Sequence, residues 1–257
     1  VDVGETLVAL RTTDGQRLRA LHHPADDAGL GVVAVVAHGF GGGLRRPALQ
    51  AVVAGLGHRV GVLAVEMRGH GRSGGRSTLG DLEVLDVDAA VAAARDLGYR
   101  RVVTVGFSMG GAAVLRHAGL DHPHPPDAVV AVSTASRWFQ RDTAPMRRLH
   151  WLVERRAGRA VARVWPGVRV SGAGWQVVPS APVEVIGAIT PVPLLIVHGD
   201  RDSYFGVGHA RALRAAAGEP AELWVEAGLG HAEVAMTPEL IDRIARWALD
   251  PPGLAAG

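Results

Sequence analysis

Of the 257 residues, 48% are apolar and 20% charged, a globular balance that excludes a disordered chain. The absence of cysteine excludes disulfides, thiolate metal sites and a catalytic thiolate, and suits a reducing cytoplasm. Net charge is only +2 and all 27 basic residues are Arg, so the basic count reads as compositional bias and gives no support for a nucleic-acid partner.

The chain opens on Val1-Asp2-Val3-Gly4-Glu5, without the basic start and apolar stretch of a leader peptide. Glu5 to Arg11 and Arg17 to His22 read as a strand pair around the turn Thr13-Asp14-Gly15. Leu30 to Ala37 is the longest apolar run. It is strand length, far short of the roughly 18 residues a membrane span requires, so no stable membrane insertion is expected. Its β-branched core, Val32 to Ala37, predicts a strand buried on both faces. Further strands are expected at Val60 to Val65, Arg101 to Val105, Ala128 to Val132 and Leu194 to Val197. Helices are expected at Asp81 to Leu97 and Gly110 to His117. A final unit pairs strand Ala221 to Glu226 with helix Thr237 to Leu249, and the tail Pro251 to Gly257 reads as frayed. Such alternation predicts an α/β fold: a mostly parallel central sheet of about eight strands with helices on both faces.

Ser136 to Ile189 breaks this rhythm. It lacks a clear strand and holds four of the six Trp residues and nine Arg. Arg147 to Trp165 reads as one amphipathic helix, with Leu149, Val153, Ala157, Val161 and Val164 inward and most Arg residues outward. The segment is read as a small, mainly helical cap. The expected organisation is therefore a core at 1–135, a cap insertion at 136–190 and the rest of the core at 191–257.

The strongest chemical signal is Gly106-Phe107-Ser108-Met109-Gly110, a G-x-S-x-G sequence between an expected strand and an expected helix. Serine at such a turn projects above the sheet edge, and the glycines relieve the crowding. A serine nucleophile needs a base, and His231 follows the strand ending at Glu226, on the same sheet edge. The base needs an acid to hold its tautomer, and His198-Gly199-Asp200-Arg201-Asp202 offers two carboxylates. His38-Gly39-Phe40-Gly41-Gly42-Gly43 comes directly after the buried strand. The amides of Phe40 and Met109 could together receive an oxyanion, and Gly41 and the aromatics Trp138, Phe139 and Trp151 are candidate substrate contacts.

The order of these motifs resembles the α/β-hydrolase superfamily over nearly the whole chain, in its esterase, monoacylglycerol-lipase-like and serine-aminopeptidase-like members. The resemblance implies Ser108 as nucleophile, Asp202 (the second Asp of the loop) as acid, His231 as base, and Phe40 and Met109 as oxyanion donors. Glu66-Met67-Arg68-Gly69-His70-Gly71-Arg72-Ser73 is similar to a D-x-R-G-x-G-x-S loop of that family, with Glu in place of its Asp. Hydrolysis of a small to medium apolar carboxylic ester is therefore expected, with no cofactor. A thioesterase acting on a CoA thioester or an acidic acyl carrier is the main alternative. A carbon–carbon hydrolase, a cofactor-free perhydrolase and a non-catalytic binding protein are the others.

Two weaker patterns are set aside. Gly69 to Gly74 fits a dinucleotide-binding G-x-G-x-x-G, but no helix starts directly after it. His22-His23 and His122-Pro123-His124 lack helical ligand spacing and an evident carboxylate partner, so no metal is expected.

Overall fold

The computed structural model describes residues 4–25 and 31–254. The leader reading at 1–3, the start of the apolar run at Leu30, and the tail at 255–257 lie outside them. β1 (Thr6–Arg11) and β2 (Arg17–His23) form the expected antiparallel pair, and Thr12 and Gln16 close the turn between them. β3 (Val32–Ala37), β4 (Gly61–Glu66), β5 (Arg101–Phe107), β6 (Ala128–Val132), β7 (Leu194–Gly199) and β8 (Ala221–Glu226) are mutually parallel. The sheet order is β1-β2-β4-β3-β5-β6-β7-β8.

Alternation along β3 shows how the β-branched run builds two cores. Val33, Val35 and Ala37 pack on one face with α2 (Glu83–Asp96), α3 (Met109–Gly119) and α7 (Gly208–Ala216). Val32, Ala34 and Val36 pack on the other with α1 (Pro47–Gly57) and α8 (Pro238–Leu249). Period-two alternation thus explains why β3 has no polar face. The chain leaves β3 for β4 on one side and later returns to β5 on the other. The loops after β3 and β5 therefore open a crevice at the carboxyl edge, where open α/β sheets bind ligands.

The inserted segment departs from expectation in two ways. The single helix expected over 147–165 is two: α4 (Ala144–Glu154) and α5 (Arg156–Val164), separated at Arg155, whose ψ of 142° is extended. This break resets the helical phase. In α5 the buried positions are Gly158 and Ala162, whereas Ala157, Val161 and Val164 are exposed. Gly158 is required there, because a Cβ would lie 2.1 Å from the Trp151 carbonyl oxygen. The segment also contributes strand-like pairing: Val170 bridges Ser77, with Ser77 N–H donating to the Arg169 carbonyl at 2.7 Å. This contact ties the insertion to the loop after β4. A short helix α6 (Pro182–Val185) and a 3-10 turn return the chain to β7.

Candidate active site

Ser108 follows β5 at φ 51°, ψ −110°, a conformation costing on the order of 1–3 kcal/mol for a non-glycine residue. Its surroundings over-determine that geometry. Its N–H donates to the Val132 carbonyl at 2.9 Å, and its own carbonyl accepts from Ala112. Gly110 lets α3 press against β3: a Cβ there would meet the Ala37 carbonyl oxygen at 2.2 Å. The helix begins at Met109, which places Ser108 Oγ at a helix N-terminus on the crevice edge.

His231 Nε2 lies 3.0 Å from Ser108 Oγ, and His231 Nδ1 lies 2.7 Å from Asp202 Oδ2. The Asp202 side chain is fully buried; its Oδ1 accepts from the amides of Tyr204 and Phe205 at 2.8 and 3.0 Å. Burial raises the Asp202 carboxyl pKa, but the His231 and backbone hydrogen bonds outweigh it and leave the group below its ordinary value. Tyr204 stacks on the His231 ring at 4.2 Å and fixes its plane. Asp200, the other carboxylate of this loop, is exposed and accepts from the Gly228 amide at 2.6 Å.

The loop after β3 is held by three side chains, two of them overlooked in the sequence. Gly41 N–H donates to His70 Nε2 at 3.2 Å, so His70 carries its proton on Nδ1, directed at the Arg68 carbonyl at 3.0 Å. His38 likewise accepts from the Met67 amide at Nε2 and donates from Nδ1 to the Gly39 carbonyl. Burial depresses both imidazoles, to about 3 for His38 and about 4 for His70, so both are neutral at physiological pH. Glu233 Oε1 accepts from the Gly39 amide at 3.1 Å; burial pushes this carboxyl up. Glu233 carries no sequence signal, and His70 sits in a loop whose motif reads as structural. Among the described residues, no turn, loop or cap hydrogen bond uses the amides of Phe40 or Met109.

Two cavities meet at Ser108. One, of about 390 Å³, is lined by Phe40, Leu79, Met109, Trp138, Phe139 and Trp175. Its indoles are pinned, Trp138 Nε1 to the Pro179 carbonyl and Trp175 Nε1 to that of Thr78, both at 2.7 Å. The other, of about 1160 Å³, is an open cleft bordered by Gly41, Arg46, Arg147, Arg148, Trp151 and Glu233. The candidate substrate contacts thus divide, with Trp138 and Phe139 in the first cavity and Gly41 and Trp151 in the second. The loop Gly69 to Gly74 lies apart from any helix start. Its turn closes on itself through Gly69 N–H to the Gly74 carbonyl, and α2 begins only at Glu83. Beyond the end of α3, the carboxylate missing beside His122 and His124 is supplied by Asp88 of α2, which corrects the expectation that they have no such partner.

Comparisons with known proteins agree with this architecture. A family model described as the alpha/beta hydrolase fold matches residues 33–163. An uncharacterised protein of Mycobacterium tuberculosis (strain ATCC 25618 / H37Rv) is 28% identical over 241 residues, covering 91% of this chain and 74% of its own. An esterase of Pyrococcus furiosus superposes with a TM-score of 0.74 at 22% identity, over 96% of this chain and 90% of that one. An alpha/beta hydrolase of Penicillium sp. sh18 gives 0.72 at 20% identity, over 96% and 98%. No helix among the described residues is long and apolar enough to cross a membrane.

Proposed function

The chain belongs to the α/β-hydrolase family, and from that premise we propose that it is a serine hydrolase cleaving carboxylic esters with a small to medium apolar acyl group. The observation that carries this reading is the continuous hydrogen-bonded line from Ser108 through His231 to the buried side chain of Asp202. In the first half-reaction Ser108 Oγ attacks the ester carbonyl as His231 Nε2 takes its proton. The amides of Phe40 and Met109 receive the oxyanion. Collapse of the tetrahedral intermediate breaks the ester C–O bond, and His231 returns the proton to the departing alkoxide. A water activated by His231 then attacks the acyl-enzyme; its collapse frees the acid and restores Ser108.

The acyl chain occupies the aromatic cavity of about 390 Å³, and the alcohol portion leaves through the wider cleft. A panel of p-nitrophenyl esters from acetate to palmitate tests this. The expected result is an optimum at short to medium chains, with Trp138→Ala moving the optimum toward longer ones. A fluorophosphonate probe should also label one residue stoichiometrically, in the peptide containing Ser108. Absence of both turnover and labelling would remove the esterase reading.

His70→Ala should lower kcat by roughly tenfold to a hundredfold, less than the loss of an oxyanion donor itself, because it releases the Gly41 amide and loosens the loop carrying Phe40. An unchanged kcat in that variant would show that the loop holds its form without His70.

Thioester hydrolysis is a second reading with its own support. Arg46, Arg147 and Arg148 border the leaving-group cleft, a surface suited to the phosphates of CoA or an acidic carrier. Comparing kcat/KM for oxoester and acyl-CoA substrates of equal chain length separates the two. The thioesterase reading requires the CoA thioester to be preferred and that preference to fall in Arg147→Ala/Arg148→Ala.

A further inference from the structure

The pattern His122-Pro123-His124 is left unused by the chemistry above, and so is a buried histidine, His117, in the last turn of α3. The fold brings them together around Asp88, which projects from α2. Asp88, His117 and His122 each offer a ligand atom, and these atoms all lie within 4.8 Å of one another. His117 and Asp88 have side-chain exposures of 0% and 4%, so this is not a solvated charge cluster.

The geometry around His117 is unusual for a buried imidazole. Its Nε2 lies 3.4 Å from Asp88 Oδ1, beyond the usual N–H···O range. Its Nδ1 is buried and has no hydrogen-bond partner among the described residues. A buried polar ring with neither nitrogen well bonded is costly in a folded protein. The same 3.4 Å, however, matches the ligand-to-ligand edge of a tetrahedral site, about 3.3 Å for bonds of 2.0–2.1 Å.

Asp88 is already oriented as a ligand. His124 donates to it twice, from its backbone N–H to Oδ1 at 3.1 Å and from its ring Nδ1 to Oδ2 at 3.2 Å. Such an outer partner fixes a metal-binding carboxylate. Half-buried His122 stacks on His117 with ring centroids 4.9 Å apart. The ligand atoms of all three residues lie within 4.8 Å of one another, so closing the set to tetrahedral edges asks for shifts of at most about 1.5 Å. Arg116, the residue before His117, spends its guanidinium on the carbonyls of Gly80, Asp81 and Ser180.

We infer that Asp88, His117 and His122 form a binding site for a divalent cation of the zinc type, with His124 as the outer partner of the carboxylate. Two imidazoles and one carboxylate suit Zn²⁺ or its nitrogen-seeking neighbours and not Ca²⁺ or Mg²⁺, which favour all-oxygen sites. A bound ion would staple α2, α3 and the loop after α3 into one unit. His117 stands nine residues along α3 from Ser108, roughly 13 Å by helical rise, so the site acts on stability and leaves the reacting atoms untouched.

The test uses the full chain, stripped with a chelator and titrated with ZnCl₂ by calorimetry, with thermal unfolding followed in parallel. One saturable equivalent per chain is expected, with Tm rising by several degrees. Asp88→Asn and His122→Ala should each abolish that equivalent and the Tm rise, while metal-free ester turnover stays within twofold of wild type. His122 is half-buried on a loop, so its variant keeps the test open should Asp88→Asn fail to fold. Absence of saturable binding in wild type overturns the proposal. So does one equivalent that persists in a folded His122→Ala chain together with its Tm rise.

Discussion

Ser108→Ala should lower kcat for the preferred ester by roughly six orders of magnitude, and Asp202→Asn by about four. The gap arises from what each side chain does. On the proposed mechanism no acyl-enzyme forms without Ser108, and only binding and the proposed oxyanion donors, the amides of Phe40 and Met109, would still favour the transition state. Asp202 never touches substrate; it holds His231. Its two oxygens accept from three donors, Oδ2 from His231 and Oδ1 from the amides of Tyr204 and Phe205. Asparagine has one accepting oxygen and one donating nitrogen, so it cannot serve all three. With its NH₂ toward the ring, the imidazole must carry its proton on Nε2, facing Ser108, and cannot take another. With its NH₂ toward the loop, it confronts two amide donors. Steady-state kinetics on both variants, with circular dichroism to verify folding, measure this. Asp200→Asn is the control: that carboxylate is exposed and accepts from the Gly228 amide, so kcat should stay within about twofold of wild type. A large loss in Asp200→Asn with none in Asp202→Asn would move the acid to Asp200.

The contrast between those two aspartates marks where the sequence stops being legible. Both lie in one loop, two residues apart, and local spacing treats them alike. Burial distinguishes them, and burial depends on how β7 and β8 bring Tyr204, Phe205 and His231 around the loop. Strands are legible for the opposite reason. β6 matches its expected limits because Ala128-Val129-Val130-Ala131-Val132 carries its own signal of two-sided burial, and β8 matches its limits too although it is a half-exposed edge strand. α1 and α7 are absent from the sequence reading: α1 contains Gly55 and Gly57, which depress helix propensity, and α7 is short. The segment 136–190 misleads through phase. A pattern of three- and four-residue spacing continues through Arg155, but the extended backbone there turns the second helix so that Val161 and Val164 face out. His70 and Glu233 grip the loop after β3 across 29 and 194 residues of sequence, a contact no local pattern encodes.

The largest stability effect should come from the other side of that same loop region, where Arg68→Ala is expected to cost about 3–5 kcal/mol. Arg68 is 2% exposed. Its Nε donates to Asp86 Oδ1 at 2.8 Å, its backbone N–H to Asp86 Oδ2 at 2.7 Å, and its Nη1 to Asp14 Oδ2 at 2.9 Å. One side chain thereby joins the β1–β2 turn, the loop after β4 and α2. In a chain of this size each kcal/mol lowers Tm by about 2–4 °C, so thermal unfolding should show a fall of roughly 6–20 °C. Arg59→Ala is the calibration. Its pair with Asp242 is about as close, but both partners are over a third exposed, and such pairs contribute about 0–1 kcal/mol. Burial pushes the Asp86 carboxyl up to about 7 even with Arg68 opposing the shift. Without Arg68 nothing as close opposes it, and Asp86 must enter the fold protonated. A carboxyl whose folded pKa lies above its unfolded value gives its full stability below about pH 4 and loses it as pH rises through the folded pKa. Wild type should therefore level off above neutrality while Arg68→Ala keeps losing stability there. Replacing both partners, Arg68→Met with Asp86→Leu, should recover part of the loss and flatten the pH profile, because it removes the carboxyl that must otherwise be protonated to be buried, while the Arg68 backbone N–H still loses its acceptor. A single variant as stable as wild type, with the same pH profile, would show that water reaches Asp86 and screens it.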